Sequence, residues 1–305
     1  MKVKKIIVLF TALVMAMAMT ACGGSTNNAA NQASEGTTAT EDTTASEDTA
    51  AATDTSSADM GGTIVITGST SVDKIVNDMI DEFMAANPDV QINYTGTGSS
   101  AGIQDTIDGI NTIGASSREL KDEETAAGVK TETFAYDGIA IAVNPANEVK
   151  DISLENLAKI FSGEVTNWSQ VGGKDADIVV VSREGASGTR SAFEELTKLE
   201  DAGGLTEAAT VVEGNGNVQA TVAGNPDAIG YVSFSFLDDT IKALTVDGNE
   251  ATPENAKAGS YPLSRPFLFT YTDATITPEA KAFIEFAKSA DGQAFVEEHG
   301  GIKID

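Results

Sequence analysis

The residues best suited to chemistry in this chain are Val181-Ser-Arg-Glu-Gly-Ala-Ser-Gly-Thr-Arg190. Ile178 to Val181 predict a short buried strand, and Phe193, Leu196 and Leu199 predict a helical stripe soon after it. A glycine- and hydroxyl-rich loop that ends at a helix N-terminus points backbone N–H groups at one spot. The helix dipole adds partial positive charge there, so the spot suits a small oxyanion. Arg183 adds a planar fork of donors that matches two oxygens of a tetrahedral anion. Ser187 could equally be an ordinary helix cap beside a surface arginine, and one loop does not decide between the two.

The arrangement recurs. Thr63 to Thr67 predict a strand, then come Gly68-Ser-Thr-Ser71 and a helix carrying Ile75, Val76, Met79, Ile80 and Phe83 on one face. Val90 to Tyr94 predict another strand, before Gly96-Thr-Gly-Ser-Ser100 and a helix through Ile103, Ile107 and Ile110. Thr112-Ile-Gly-Ala-Ser-Ser117 has the same form, with Ser116 or Ser117 as the expected cap. Several such loops in one chain point to convergence on a ligand at the carboxyl ends of strands in an open α/β sheet.

Other chemistries lack their residues. One histidine, His299, follows a helical stretch near the C-terminus and is expected at a helix end or the surface. With one histidine and one cysteine no transition-metal site is expected, and no cofactor is implied. Gly185-Ala-Ser-Gly-Thr189 has threonine where a nucleophile elbow requires glycine, so no serine hydrolase is expected. No phosphate-binding P-loop motif occurs. The 46 acidic against 19 basic residues give a net charge of −27, which excludes a nucleic-acid binder. An anion ligand is still compatible, because surface charges beyond about 8 Å are screened at physiological salt while donors lining a closed cleft are not.

The N-terminus reads as a leader. Lys2, Lys4 and Lys5 precede an apolar run from Ile6 to Met19, and Thr20-Ala21-Cys22 closes it. Small residues before a lone cysteine are similar to a bacterial lipoprotein cleavage site, with Cys22 as the lipidated residue; a plain signal peptide cleaved near Ala21 is the alternative. Residues 23–60 are small, polar and acidic, with no Lys or Arg. Such a segment cannot offset its ordering entropy and predicts a disordered acidic tether. As a coil it would span roughly 30–40 Å.

From Gly62 onward the motifs resemble those of the extracytoplasmic phosphate-binding proteins of bacterial ABC uptake systems. The resemblance rests on Thr67-Gly-Ser-Thr-Ser71, Gly96-Thr-Gly-Ser-Ser-Ala-Gly102, Ile113-Gly-Ala-Ser-Ser117 and Asp137-Gly-Ile-Ala-Ile-Ala-Val-Asn144. It continues through Ile160 to Trp168, Val171-Gly-Gly173, Ser182 to Arg190 and Ala228-Ile-Gly-Tyr-Val232. It implies an α/β, two-lobed, type II periplasmic-binding-protein-like fold, with a ligand cleft between lobes joined by two crossing strands. Residues 62–137 plus 258–305 would form lobe 1 and residues 138–257 lobe 2, after the leader at 1–22 and the tether at 23–60. Thr70, Ser71 and Ser99 would bind phosphate from lobe 1, and Arg183, Ser187, Gly188 and Thr189 from lobe 2. The partners implied are inorganic phosphate, the permease and ATPase subunits of a phosphate ABC transporter, and the cell membrane through the lipid on Cys22. The protein would act outside the cytoplasm and catalyse nothing.

Many members of that family carry an aspartate where this chain has Ser117. Its carboxylate accepts the proton that phosphate keeps near neutral pH and sulfate lacks. Asp137 is the candidate replacement, with Arg118 as its possible counter-charge; alternatively it is a hinge carboxylate that caps a turn or pairs with a lysine. Trp168 and Phe161 are read as packing, and Thr277-Pro278 as a helix start. Asn215, Asn217 and Gln219 are read as rim residues that could add ligand or cross-lobe contacts. Competing functions are binding of sulfate or molybdate, a surface phosphate sensor or adhesin, and a phosphatase using Ser187 or Thr70.

Overall fold

The computed structural model describes residues 61–304. The leader, Cys22 and the tether lie outside the described residues. Among these, the strands are β1 (Gly62–Gly68), β2 (Val90–Gly96), β3 (Ile113–Ser116), β4 (Lys130–Val143), β5 (Asp151–Ile152), β6 (Val179–Arg183), β7 (Thr210–Val212), β8 (Ala228–Ser233), β9 (Lys242–Ala243), β10 (Thr245–Val246), β11 (Ser264–Tyr271) and β12 (Ile302–Lys303). The helices are α1 (Asp73–Ala86), α2 (Ser99–Ile107), α3 (Asp122–Ala126), α4 (Leu154–Ser162), α5 (Gly188–Thr197), α6 (Gly214–Gly224), α7 (Pro253–Lys257), α8 (Pro278–Lys288) and α9 (Ala290–Glu298).

The main sheet runs β2-β1-β3-β11-β4-β8-β6-β7, with β12 and β9 also paired to β4. β1 is parallel to β2 and β3, and β6 is parallel to β7 and β8. Parallel neighbours need long crossovers, and the helical repeats between these strands supply them. The central pair, β4 and β11, is antiparallel, with a register shift between Phe267 and Leu268.

Two apolar clusters flank this central pair. One gathers Ile64, Ile66, Val76, Met79, Phe83, Ile113, Phe134, Phe267, Phe269 and Phe283. The other gathers Ile139, Ile141, Phe161, Trp168, Val181, Phe193, Val218, Ile229 and Tyr231. Each fully buried side chain of this kind contributes about 1.5–3 kcal/mol before entropy is subtracted. β4 therefore enters one core with Phe134 and Ala135 and the other with Ile139 to Val143. β11 leaves Leu263 in the second core and carries Phe267 and Phe269 into the first. These are two lobes joined by two crossing strands, and Asp137 and Arg265 are register partners at the crossing.

Local signals hold where side-chain chemistry dictates them. Ser153 caps α4 by accepting from the Asn156 N–H at 3.1 Å, and Gly163 closes that helix with φ 84°. Thr277 caps α8 with Pro278 at its first turn. His299 sits at the end of α9 with Nε2 2.6 Å from Asp78 Oδ2.

Candidate functional site

β1, β3 and β6 end at Gly68, Ser116 and Arg183, and their carboxyl ends open onto one cluster of hydroxyls. After β1 the chain turns at Ser69, whose hydroxyl accepts from the Ser71 N–H at 3.2 Å. No side chain caps α1 or α2. Their first N–H groups therefore lack side-chain partners, which leaves the partial positive charge of both helix ends at the loops. α5 differs: Ser187 caps it, accepting from the Arg190 N–H at 3.2 Å.

The loops of the two lobes touch. Ser71 Oγ lies 2.8 Å from Thr189 Oγ1, and the Ser100 N–H donates to Ala186 O at 3.0 Å. Gly188 packs so tightly that a Cβ there would sit 2.1 Å from Ser99 Oγ and 2.8 Å from Ser117 Oγ. Ser69 Oγ donates to Ser117 Oγ at 2.8 Å, Ser117 Oγ lies 3.2 Å from Ser99 Oγ, and the Ser117 N–H donates to Ser99 Oγ at 3.0 Å. Asn215, fully buried at the start of α6, donates to Thr70 Oγ1 at 3.2 Å and Ser71 Oγ at 3.1 Å.

Arg183 enters from β6 with 1% of its surface exposed. Its Nε and Nη2 grip Glu184 at 2.9 and 2.7 Å, and Nη2 also donates to Thr70 Oγ1 at 3.1 Å. Nη1 is buried without a hydrogen-bond partner. Burial pushes the Glu184 carboxyl up, but Arg183 outweighs it and holds that group below its ordinary range. Behind the strand, Tyr231 Oη accepts from the Arg183 N–H at 3.3 Å, and burial raises that phenol to about 12, keeping it neutral.

Asp137 is fully buried. Its Oδ2 accepts from Arg265 Nε at 3.1 Å and Nη2 at 2.9 Å; its Oδ1 accepts from Ser233 Oγ at 2.9 Å and the Phe234 N–H at 3.2 Å.

Thr70, Ser71, Ser99, Ser117, Arg183, Ser187, Gly188 and Thr189 thus come together, with Asp137 joined to them through Arg265. Two details depart from the sequence reading. Arg118 does not neutralise Asp137: it forks onto Glu124 at 2.7 and 2.9 Å, because that carboxylate lies in the first turn of α3 only six residues later. Neither Ser116 nor Ser117 caps a helix, since α3 begins at Asp122 after Lys121. Instead Ser116 Oγ bonds the main chain of Arg118, and Ser117 faces Ser69 and Ser99. Asn217 and Gln219 bond Glu213 O and Phe236 O, whereas Asn215 enters the cluster. Trp168 and Phe161 pack in the second core. Sequence reasoning missed Ser69, although it stands in the Gly-Ser-Thr-Ser loop, and Arg265, whose Ser-Arg-Pro setting in a strand carries no site signal. Among the described residues, no group of three or more His, Cys, Asp or Glu could hold a metal ion.

Known proteins share this sequence pattern and fold. A family model of the PBP superfamily domain matches residues 24–291. The phosphate-binding protein PstS of Bacillus subtilis is 36% identical over 249 residues, covering 80% of this chain and 81% of its own. The chain belongs to this family of substrate-binding proteins. A crystal structure from Clostridium perfringens, described as a phosphate ABC transporter substrate-binding protein with bound phosphate, superposes with a TM-score of 0.78 at 44% identity. It is covered completely and covers 80% of this chain. An ABC-type phosphate transport receptor from Vibrio cholerae gives a TM-score of 0.68 at 35% identity, covering 79% of this chain and 100% of its own. The fold is the type II binding-protein fold, with the cleft between its two lobes.

Proposed function

We propose that the protein captures inorganic phosphate between its lobes outside the cytoplasm and delivers it to an ABC permease, breaking no bond in the ligand. The observation that carries this reading is the Arg183 guanidinium, buried among site hydroxyls with Nη1 unpaired. A buried donor without a partner costs about 1–3 kcal/mol, a cost that an anion oxygen would remove. The helix N-termini and hydroxyls of Ser71, Ser99, Ser117 and Thr189 supply further donors in a setting that suits a tetrahedral oxyanion. The names of the relatives support phosphate as that oxyanion and an ABC transporter as the receiver.

We assign direct ligand contact to Thr70, Ser71, Ser99, Ser117, Arg183, Ser187, Gly188 and Thr189, and place Asp137 behind them as the partner of Arg265. The Asp137 carboxylate already accepts four hydrogen bonds, which favours a paired hinge carboxylate over an acceptor for the phosphate proton. Anchoring through a lipid on Cys22 completes the reading. No helix among the described residues is long and apolar enough to cross a membrane.

Calorimetric titration of the protein with phosphate, arsenate, sulfate and molybdate tests the reading. Tight binding of phosphate and arsenate over the other two is expected. Preference for sulfate or molybdate would replace phosphate as the ligand.

A further inference from the structure

Arg265 is 4% exposed and sits in β11 directly across from Asp137 in β4, where both strands pass between the cores. Its guanidinium reaches beyond that partner. Nη2 donates to Ser71 Oγ at 3.0 Å as well as to Asp137, and Nη1 donates to Ser117 O at 3.3 Å. One side chain from the crossing therefore holds two of the loops assigned to phosphate. Asp137 in turn holds Ser233 and the Phe234 N–H at the end of β8, and Ser235 Oγ donates to Ser71 O at 3.0 Å. The chain of bonds runs from lobe 2 through the crossing into the lobe 1 loop.

The charge balance gives this connection a functional sense. Arg183 is matched by Glu184 and Arg265 by Asp137, so each of these buried guanidinium groups has its own carboxylate. An incoming anion then meets oriented donors beside two paired cations. Without the Arg265 cation, Asp137 would remain as an uncompensated carboxylate one side chain away from Ser71. Burial and the like charge of Arg183 both act against the Arg265 cation, and an anion near the two guanidinium groups relieves the second of these.

Resting on the phosphate reading above, we infer that Arg265 is a positioning residue of the binding site: it fixes the Ser71 hydroxyl and the Ser117 main chain for the anion, and it neutralises Asp137 so that an anion can enter. A purely structural role for the pair would predict the same geometry but a different response to substitution.

The test is calorimetric phosphate titration of the wild type, Arg265→Gln, Arg265→Lys, Asp137→Asn and the Arg265→Gln/Asp137→Asn double variant, with melting curves for each. Truncating one partner of a buried charge pair leaves the other unpaired, so Arg265→Gln should weaken phosphate binding by about 30- to 1,000-fold. The double variant should bind about tenfold or more tighter than Arg265→Gln, because the stranded carboxylate is gone. Arg265→Lys keeps the charge but not the fork, and should fold with a loss of about tenfold. If Arg265→Gln proves too unstable to assay, the comparison of Arg265→Lys with wild type decides. Phosphate affinity within threefold of wild type in Arg265→Lys or Arg265→Gln would overturn the inference. So would a double variant that binds no better than Arg265→Gln. Failure of the wild type itself to bind phosphate would instead remove the reading on which the inference rests.

Discussion

The hydroxyls of Ser71 and Thr189 lie 2.8 Å apart although 118 residues separate them. Ser71 Oγ already accepts from Arg265 Nη2 and Asn215 Nδ2, which occupies its two lone pairs. Its proton therefore goes to Thr189 Oγ1 here, where a ligand oxygen can take that acceptor's place, and the Thr189 hydroxyl keeps its own proton for another acceptor. A donor at the start of α5 with no remaining protein obligation is what an anion site requires.

Thr189→Val keeps the shape and removes both roles of the hydroxyl. Phosphate affinity should fall by about 1.5–3 kcal/mol, the worth of a hydrogen bond to a charged group. Calorimetry against wild type checks this, and an unchanged dissociation constant would remove Thr189 from the site.

Arg183→Ala takes away the buried fork and leaves Glu184 uncompensated beside the loops. The expected loss is about 2–5 kcal/mol in phosphate binding. Arg183→Lys should recover only part of it, since an ammonium cannot hold Glu184 and Thr70 while also presenting a second planar donor. Competition binding with radiolabelled phosphate is a suitable measurement.

Gly188→Ala separates binding from folding. Alanine is the better helix former, so α5 itself is not weakened. The added methyl group would overlap Ser99 and Ser117 across the cleft, and the lobes could not meet as they do here. Phosphate affinity should drop at least about tenfold, on the order of the 1–3 kcal/mol that overpacking costs, with a melting temperature near wild type.

Acid stability should report on Arg118 and Glu124. Burial pushes the Glu124 carboxyl up, but the Arg118 hydrogen bond, the Lys121 N–H and the Arg118 charge outweigh it and hold the group below its ordinary range. A carboxyl lowered by folding stabilises the folded state above its unfolded value, and that contribution disappears as pH falls through the folded one. Denaturant titrations between about pH 5 and pH 2 should therefore show a shallower acid loss in Glu124→Gln than in wild type. Equal slopes would contradict the ionised pair.

Cys22→Ser tests the anchor. The variant should move from the membrane fraction to the medium or periplasm while its phosphate affinity stays the same, because residues 23–60 separate Cys22 from the fold. Retention at the membrane after normal leader cleavage would count against lipidation.

Much of the fold was legible in the sequence because its signals are local. The stripe at Ile75, Val76, Met79, Ile80 and Phe83 forms the buried face of α1, and Thr277-Pro278 starts α8 as its capping chemistry requires. The hydroxyl loops were legible because several of them precede apolar stripes in one chain, where a single one would read as an ordinary cap. Arg265 was not. Its role arises from antiparallel register with Asp137, a relation between positions 128 residues apart that no local pattern encodes. Arg118, read as a possible counter-charge to Asp137, misled because its side chain took the nearer carboxylate of Glu124.

β4 runs from one core into the other, and its ladder with β11 reaches past Asp137 and Arg265 to Gly138 and Ser264, with a register shift between Phe267 and Leu268. A swing of one lobe against the other can then be absorbed as twist in two paired strands, while the cross-lobe bond from the Ser100 N–H to Ala186 O has to open. Outside the crossing strands, the contacts that join the lobes form a thin seam, among them those of Ser71, Gly188, Thr189 and Asn215. Affinity and thermal stability become nearly independent quantities in such a molecule, and natural variation at the seam can retune the first without endangering the second.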